Sequence, residues 1–121
     1  MANSLTLQTI TASLPDGGAA ACWIVTDHSG MLAFVANSGS NTISSLTVSP
    51  TGDMQLLDPV AANTGSGSVP VDMALTMNGS FLYVIASGHG AVEGFFIQNG
   101  ELTPVAAVAG LPLSAQGIAA R

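Results

Sequence analysis

LAFVAN at residues 32–37 and FLYVIA at residues 81–86 are the same kind of segment met twice, 49 residues apart. Each is a short apolar run bounded by Gly, Ser and Asn, which reads as a buried strand. Moving outward keeps the spacing. Upstream, residues 22–26 (CWIVT) fall on 71–75 (VDMAL), and Ser29-Gly30 falls on Asn78-Gly79. Downstream, Ser38-Gly39 falls on Ser87-Gly88, and residues 43–48 (ISSLTV) fall on 92–97 (VEGFFI). The spacing drops to 48 at the next turn, where Gly52 meets Gly100, and residues 54–60 then overlie 102–108. This is an internal duplication.

Each unit predicts strand a, turn, strand b, loop, strand c, turn, strand d. Asn78-Gly79 and Asn99-Gly100 supply the residues of a type I′ hairpin turn, which needs positive φ at both central positions. No segment holds a helical period. Four antiparallel strands in a repeat of roughly 40–50 residues are the pattern of a propeller blade, so the expected class is all-β. Blade 1 covers residues 19–68 and blade 2 residues 69–113. Before them, residues 1–18, with LTLQTITASL at 5–14, read as a lone strand d and its loop. After them, residues 114–121, with QGIAA at 116–120, read as the start of a further strand a. Two blades cannot close a ring, so either the sequence is cut from a longer propeller or the ring closes only through a homo-oligomer. Three chains would supply six blades and four would supply eight, the trimer being preferred.

Composition narrows the partners. Apolar residues make up 48% of the chain and charged residues 7%, against about a quarter charged in ordinary soluble proteins. Such a surface favours burial between subunits. The net charge is −6, with Arg121 the one basic side chain besides two histidines. Nucleic acid and anionic membranes both need cations on the protein, so neither is an expected partner. A small-molecule ligand stays open, without a clamp for phosphate or carboxylate. Cys22 is the single cysteine, which leaves the redox compartment open and reads as a buried small hydrophobe. Met1-Ala2-Asn3-Ser4-Leu5 has neither a basic start nor an apolar run; no signal peptide is expected, and the chain as written reads as cytoplasmic.

The b strands resemble the YVTN-type repeat. Residues 70–84 (PVDMALTMNGSFLYV) resemble the P-x-x-(I/M)-A-x-(S/T)-x-x-G-x-(F/Y)-L-Y-V blade pattern of the lactonase family. That family comprises seven-bladed propellers similar to 6-phosphogluconolactonase and 3-carboxymuconate lactonising enzyme. The resemblance implies that this chain corresponds to two C-terminal blades. Residues 110–112 (GLP) and 117–121 (GIAAR) look like the C-terminus of bacterial members. It also implies a sugar-type lactone bound through arginines with His and Glu nearby, yet the repeats here contain no arginine.

In a propeller, strand a lines the channel, and the d–a and b–c loops share one end. Asp16, residues 37–41, residues 63–69 and His89 should therefore gather there, with Asp27 and His28 at the opposite end. His89 stands in a glycine-rich loop with Glu93 four positions on. The two could act as a general acid/base pair or half a metal site; the plainer alternative is a solvated loop histidine and a strand carboxylate. Alternation turns Asp72 away from the core. Copies of Asp72 around a ring could form a carboxylate collar for Ca²⁺ or Mg²⁺, although no cofactor is required. The alternative is a carboxylate capping the d–a loop backbone. Asp27-His28-Ser29 cannot converge as a catalytic triad and reads as a hydrogen-bonded turn. Two functions follow. One is a scaffold or binding module that self-assembles. The other is a lactonase-like hydrolase or isomerase with a site formed between subunits from His89, Glu93 and Asp72.

Overall fold

The computed structural model describes residues 5–121. Residues 1–4, with which the expected flanking strand and the reading of the N-terminus begin, lie outside the described residues. Blade 1 is β1 (Ala21–Thr26), β2 (Leu32–Asn37), β3 (Thr42–Val48) and β4 (Met54–Asn63). Blade 2 is β5 (Pro70–Leu75), β6 (Phe81–Ala86), β7 (Ala91–Gln98) and β8 (Glu101–Ala109), with a 3-10 turn at Ser87–His89. Each blade is an antiparallel four-stranded sheet paired in chain order. β1 and β5 run close together while β4 and β8 barely touch, so the blades splay outward like a fan. No helix among the described residues is long and apolar enough to cross a membrane.

Alternation along the strands sorts side chains onto two faces of each blade. Phe34, Ala36, Ile43 and Ala62 of blade 1 meet Met73, Leu82, Val84, Phe95 and Leu102 of blade 2 in one core. Burying a side chain of this size contributes about 1.5–3 kcal/mol, so this contact holds the two sheets together. On the far face of blade 1, Ala33, Val35 and Leu46 form a second cluster, with Leu14, Val48 and Met54 packed on it. At the repeat spacing these blade-1 residues are the counterparts of Leu82, Val84, Phe95, Ile97 and Leu102. The free face of blade 1 thus repeats the face with which blade 2 docks.

Several expectations need correction. Residues 5–20 form no strand. They nonetheless lie where a strand d of a preceding blade would lie. A Cβ on Gly52 would meet Ile10 as one on Gly100 would meet Leu57. Leu14 packs on the free face of blade 1 as Ala61 packs on the core between the blades. The Asp16 carboxylate accepts the Gly18 amide as the Asn63 side chain accepts that of Gly65. Position is kept while pairing is lost, because a strand needs a neighbour to receive its backbone hydrogen bonds. The tail, residues 110–121, likewise forms no strand.

Of the two expected type I′ turns, Asn99-Gly100 has φ of 53° and 81°, and its flanking residues Gln98 and Glu101 pair directly. Asn78-Gly79 has positive φ only at Gly79. There the Gly79 amide bonds the Thr76 carbonyl, as the Gly30 amide bonds that of Asp27. These a–b turns are longer, and the glycine alone takes the left-handed step. Cys22 is exposed rather than buried, like Ala21, Trp23 and Ile24 around it, because β1 is an edge strand whose residues 21–24 are all exposed.

Candidate functional site

Backbone hydrogen bonds bring the d–a and b–c loops to one end of the fold. The Ser87 and Gly88 amides donate to the Val69 and Ser68 carbonyls at 3.1 and 2.8 Å. The Ser38 and Gly39 amides donate to the Ala20 and Ala19 carbonyls at 3.0 and 2.9 Å. Asp16, residues 37–41, residues 63–69 and His89 therefore share that end. The Met31 carbonyl accepts from Val48, placing the a–b and c–d turns of blade 1 at the other end.

His89 closes the 3-10 turn, and its Nε2 lies 3.0 Å from the Ser66 carbonyl oxygen. A carbonyl only accepts, so Nε2 carries the proton in this contact. The ring also lies against Gly65, whose added Cβ would sit 3.5 Å from Cε1. The histidine is thus pinned on the d–a loop.

Glu93 lies in β7 opposite Val84 of β6 and Ala107 of β8, on the face turned towards blade 1. It opens onto a crevice of about 380 Å³ shared with Asn63, Phe95, Pro104 and Ala107. Burial pushes its carboxyl up from the ordinary value, and the charge of His89 pulls it partly back. The pair is coupled through space, but only Glu93 lines the crevice. A carboxyl that holds its proton to higher pH has the character of a general acid.

Asp72 is on the other face of blade 2. Its Oδ2 accepts the Gly117 amide at 2.8 Å, and the residue is buried. The carboxylate caps the tail rather than the d–a loop. The three expected site residues accordingly separate: Glu93 faces blade 1, Asp72 faces away from it, and His89 sits in the loop at the end of the sheet. No group of three or more His, Cys, Asp or Glu residues that could hold a metal ion occurs among the described residues. The Asp27 turn is as expected, with the Ser29 hydroxyl 2.7 Å from its carboxylate and the Met31 and Leu32 amides at 3.1 Å.

Two asparagines, Asn37 and Asn41, bound a stretch that the sequence placed at this end without assigning either of them a role. Asn41, at φ 58°, accepts the Val69 amide on its side chain at 3.0 Å and the Thr64 amide on its backbone oxygen at 2.9 Å. It latches blade 1 to the loop leading into blade 2. Its repeat counterpart is Gly90, also at φ 58°, and an Asn aligned with a Gly was the available signal for a left-handed position. Asn37 is fully buried and donates to Ser44 Oγ at 2.9 Å, leaving its Oδ1 without a partner.

Neither a protein-family model nor a curated protein matches the chain. Solved structures do. A periplasmic gluconolactonase of Pseudomonas aeruginosa aligns at 24% identity and a TM-score of 0.68, over 80% of this chain and 28% of that one. A functionally unknown protein of Desulfotomaculum acetoxidans aligns at 26% and 0.63, over 76% and 28%. A provisional 6-phosphogluconolactonase of Bacteroides fragilis aligns at 22% and 0.65, over 74% and 27%. The chain spans just over a quarter of the length of each. What it shares with them is a fold: two antiparallel four-stranded sheets resembling the blades of lactonase-like propellers.

Proposed function

We propose that the chain is a two-blade scaffold or binding module that completes a propeller by associating with further copies. One observation carries this reading. On its far face, beneath the segment that carries Leu14, blade 1 holds Ala33, Val35, Leu46 and Met54, the counterparts of the residues with which blade 2 packs on blade 1. A face built for burial invites another blade. The association is heterologous and closes if its rotation divides the circle. Three copies give six blades and four give eight. In such a ring the copies of Asp72 would come near one axis, and any Ca²⁺ or Mg²⁺ collar would belong to the assembly. Light scattering coupled to size exclusion tests the reading. A discrete trimer or tetramer supports it, and a monomer at all concentrations overturns it.

A second reading rests on a different observation, the protonation-prone Glu93 beside the pinned His89. Together with the fold shared with a gluconolactonase, it supports a hydrolase or isomerase acting on a sugar-type lactone. In hydrolysis, water would add to the lactone carbonyl, and the bond from that carbon to the ring oxygen would break. Glu93 would give its proton to the departing oxygen; the proton lost by the water would return to Glu93, and His89 would tune its acidity. Assay of sugar lactones with the wild type and His89→Ala decides it, because turnover that survives unchanged rules out this pair.

A further inference from the structure

A cavity of about 390 Å³ lies between the N-terminal segment and blade 1, lined by Thr11 and Leu14 on one side and Trp23, Ile24, Leu46 and Met54 on the other. The repeat shows what such a space holds. Between the blades, the corresponding ground opposite Leu82, Val84 and Phe95 is filled by Phe34, Ala36 and Ile43. Their counterparts in blade 2 are Tyr83, Ile85 and Val92, which share the outward face of that blade. The chain therefore carries both halves of one interface, one on each outer face.

Each half is covered by a terminal segment. The strap of residues 5–16 holds on blade 1 the place that β4 holds on blade 2. An incoming copy docking in the same register would bring its β8 to that place, since β8 is the counterpart of β4. The tail covers the other half through the bond between Gly117 and Asp72. The strap is weakly held. No backbone-to-backbone hydrogen bond ties residues 5–18 to the rest of the described residues. Its polar ties are the Met54 amide on Thr11 Oγ1 at 3.1 Å, the Asp16 carbonyl accepting from Ser44 at 3.1 Å and the Ala19 amide beyond it on Ser40. Leu5 and Leu7 are fully exposed and Ile10 is half-exposed. Few buried contacts and no ladder place a segment at the low end of local stability.

We propose that the free face of blade 1 is the seat for the outward face of blade 2 from a second copy, and that the strap occupies this seat until the copy displaces it. The proposal rests on the assembly reading and adds a competition to it. The apparent affinity between copies is then the intrinsic one reduced by the fraction of time the seat is open.

Sedimentation equilibrium on three proteins tests this: the unaltered chain, Ile10→Ser with Leu14→Ser, and that double variant with Tyr83→Arg added. The serines weaken the strap without touching either blade face. The expected result is association tighter by about tenfold or more in the double variant, as a mostly closed seat would give on opening, and its loss when Tyr83→Arg is added. If the unaltered chain associates and the double variant does so no more tightly, the competition is overturned while assembly stands. If Tyr83→Arg leaves the association intact, the copies meet on another surface and the seat is wrongly assigned. If all three stay monomeric, both the seat and the assembly reading fall.

Discussion

The Gly117 amide points into the carboxylate of Asp72 at 2.8 Å, so a residue near the end of the chain is held by one at the start of β5. A hydrogen bond to a charged acceptor is stronger than a neutral one. Asp72→Ala should release the tail, lower stability by about 1–2 kcal/mol, and remove hydrogen-exchange protection from the Gly117 amide. Asp72→Asn keeps an oxygen in place and should fall between. Protection at Gly117 that persists in the alanine variant would show the tail to be held by other contacts.

Asn41 combines two roles that substitutions can separate. Its left-handed backbone costs an ordinary residue about 1–2 kcal/mol, and its side chain adds the bond to the Val69 amide. Asn41→Gly loses the bond alone, and Asn41→Ala loses the bond and takes on the strain. Urea denaturation should rank wild type above glycine above alanine, with the last step about 1 kcal/mol. Equal losses would mean that the backbone conformation relaxes.

Glu93 makes stability depend on pH in an unusual direction. Unfolded, its carboxyl titrates near 4.5; folded, burial holds the proton to higher pH, against the opposing pull of His89. Between those two points the folded state binds more protons, so this group lowers stability as pH rises through the window. Glu93→Gln should therefore be the more stable protein at neutral pH, its advantage vanishing below 4.5. His89→Ala should move the Glu93 midpoint higher still, readable by NMR titration of the carboxyl. A midpoint that does not move would uncouple the pair.

The core between the blades should dominate stability. Leu82 is fully buried there, and Val108 on β8 is two-thirds exposed. Leu82→Ala should cost about 2–5 kcal/mol. Val108→Ala should stay within about 0.5 kcal/mol. Thermal melts of both compare them directly.

If chains of net charge −6 associate, their mutual repulsion should oppose it. Raising salt from about 10 to 150 mM shortens the screening length from roughly 30 to 8 Å. The assembled fraction at fixed concentration should rise accordingly. A fall with salt would mean that charge pairs hold the copies together.

The strands were legible because two copies of one pattern check each other. β2 and β6 have the bounds read from LAFVAN and FLYVIA. β4 runs on to Asn63, past Pro59, because irregularities in its ladder with β3 leave that proline outside the pairing. Residues 5–14 resemble strand d of the repeat, but such a likeness cannot show whether a neighbour is present to pair with. The nearness of His89 and Glu93 was legible from their spacing. The crevice was not, since it joins Asn63 of blade 1 to β7 and β8 of blade 2. The partner of Asp72 lay 45 positions away, beyond any local pattern.

Both innermost strands carry the same ladder irregularity, between Ala21 and Trp23 in β1 and between Pro70 and Asp72 in β5. The duplication thus copied the backbone kink faithfully and left the side chain after it free to diverge, to an indole in one blade and a carboxylate in the next. Around any closed array of these chains, the inner wall would alternate aromatic and anionic stations. Its chemical repeat would be twice its geometric one.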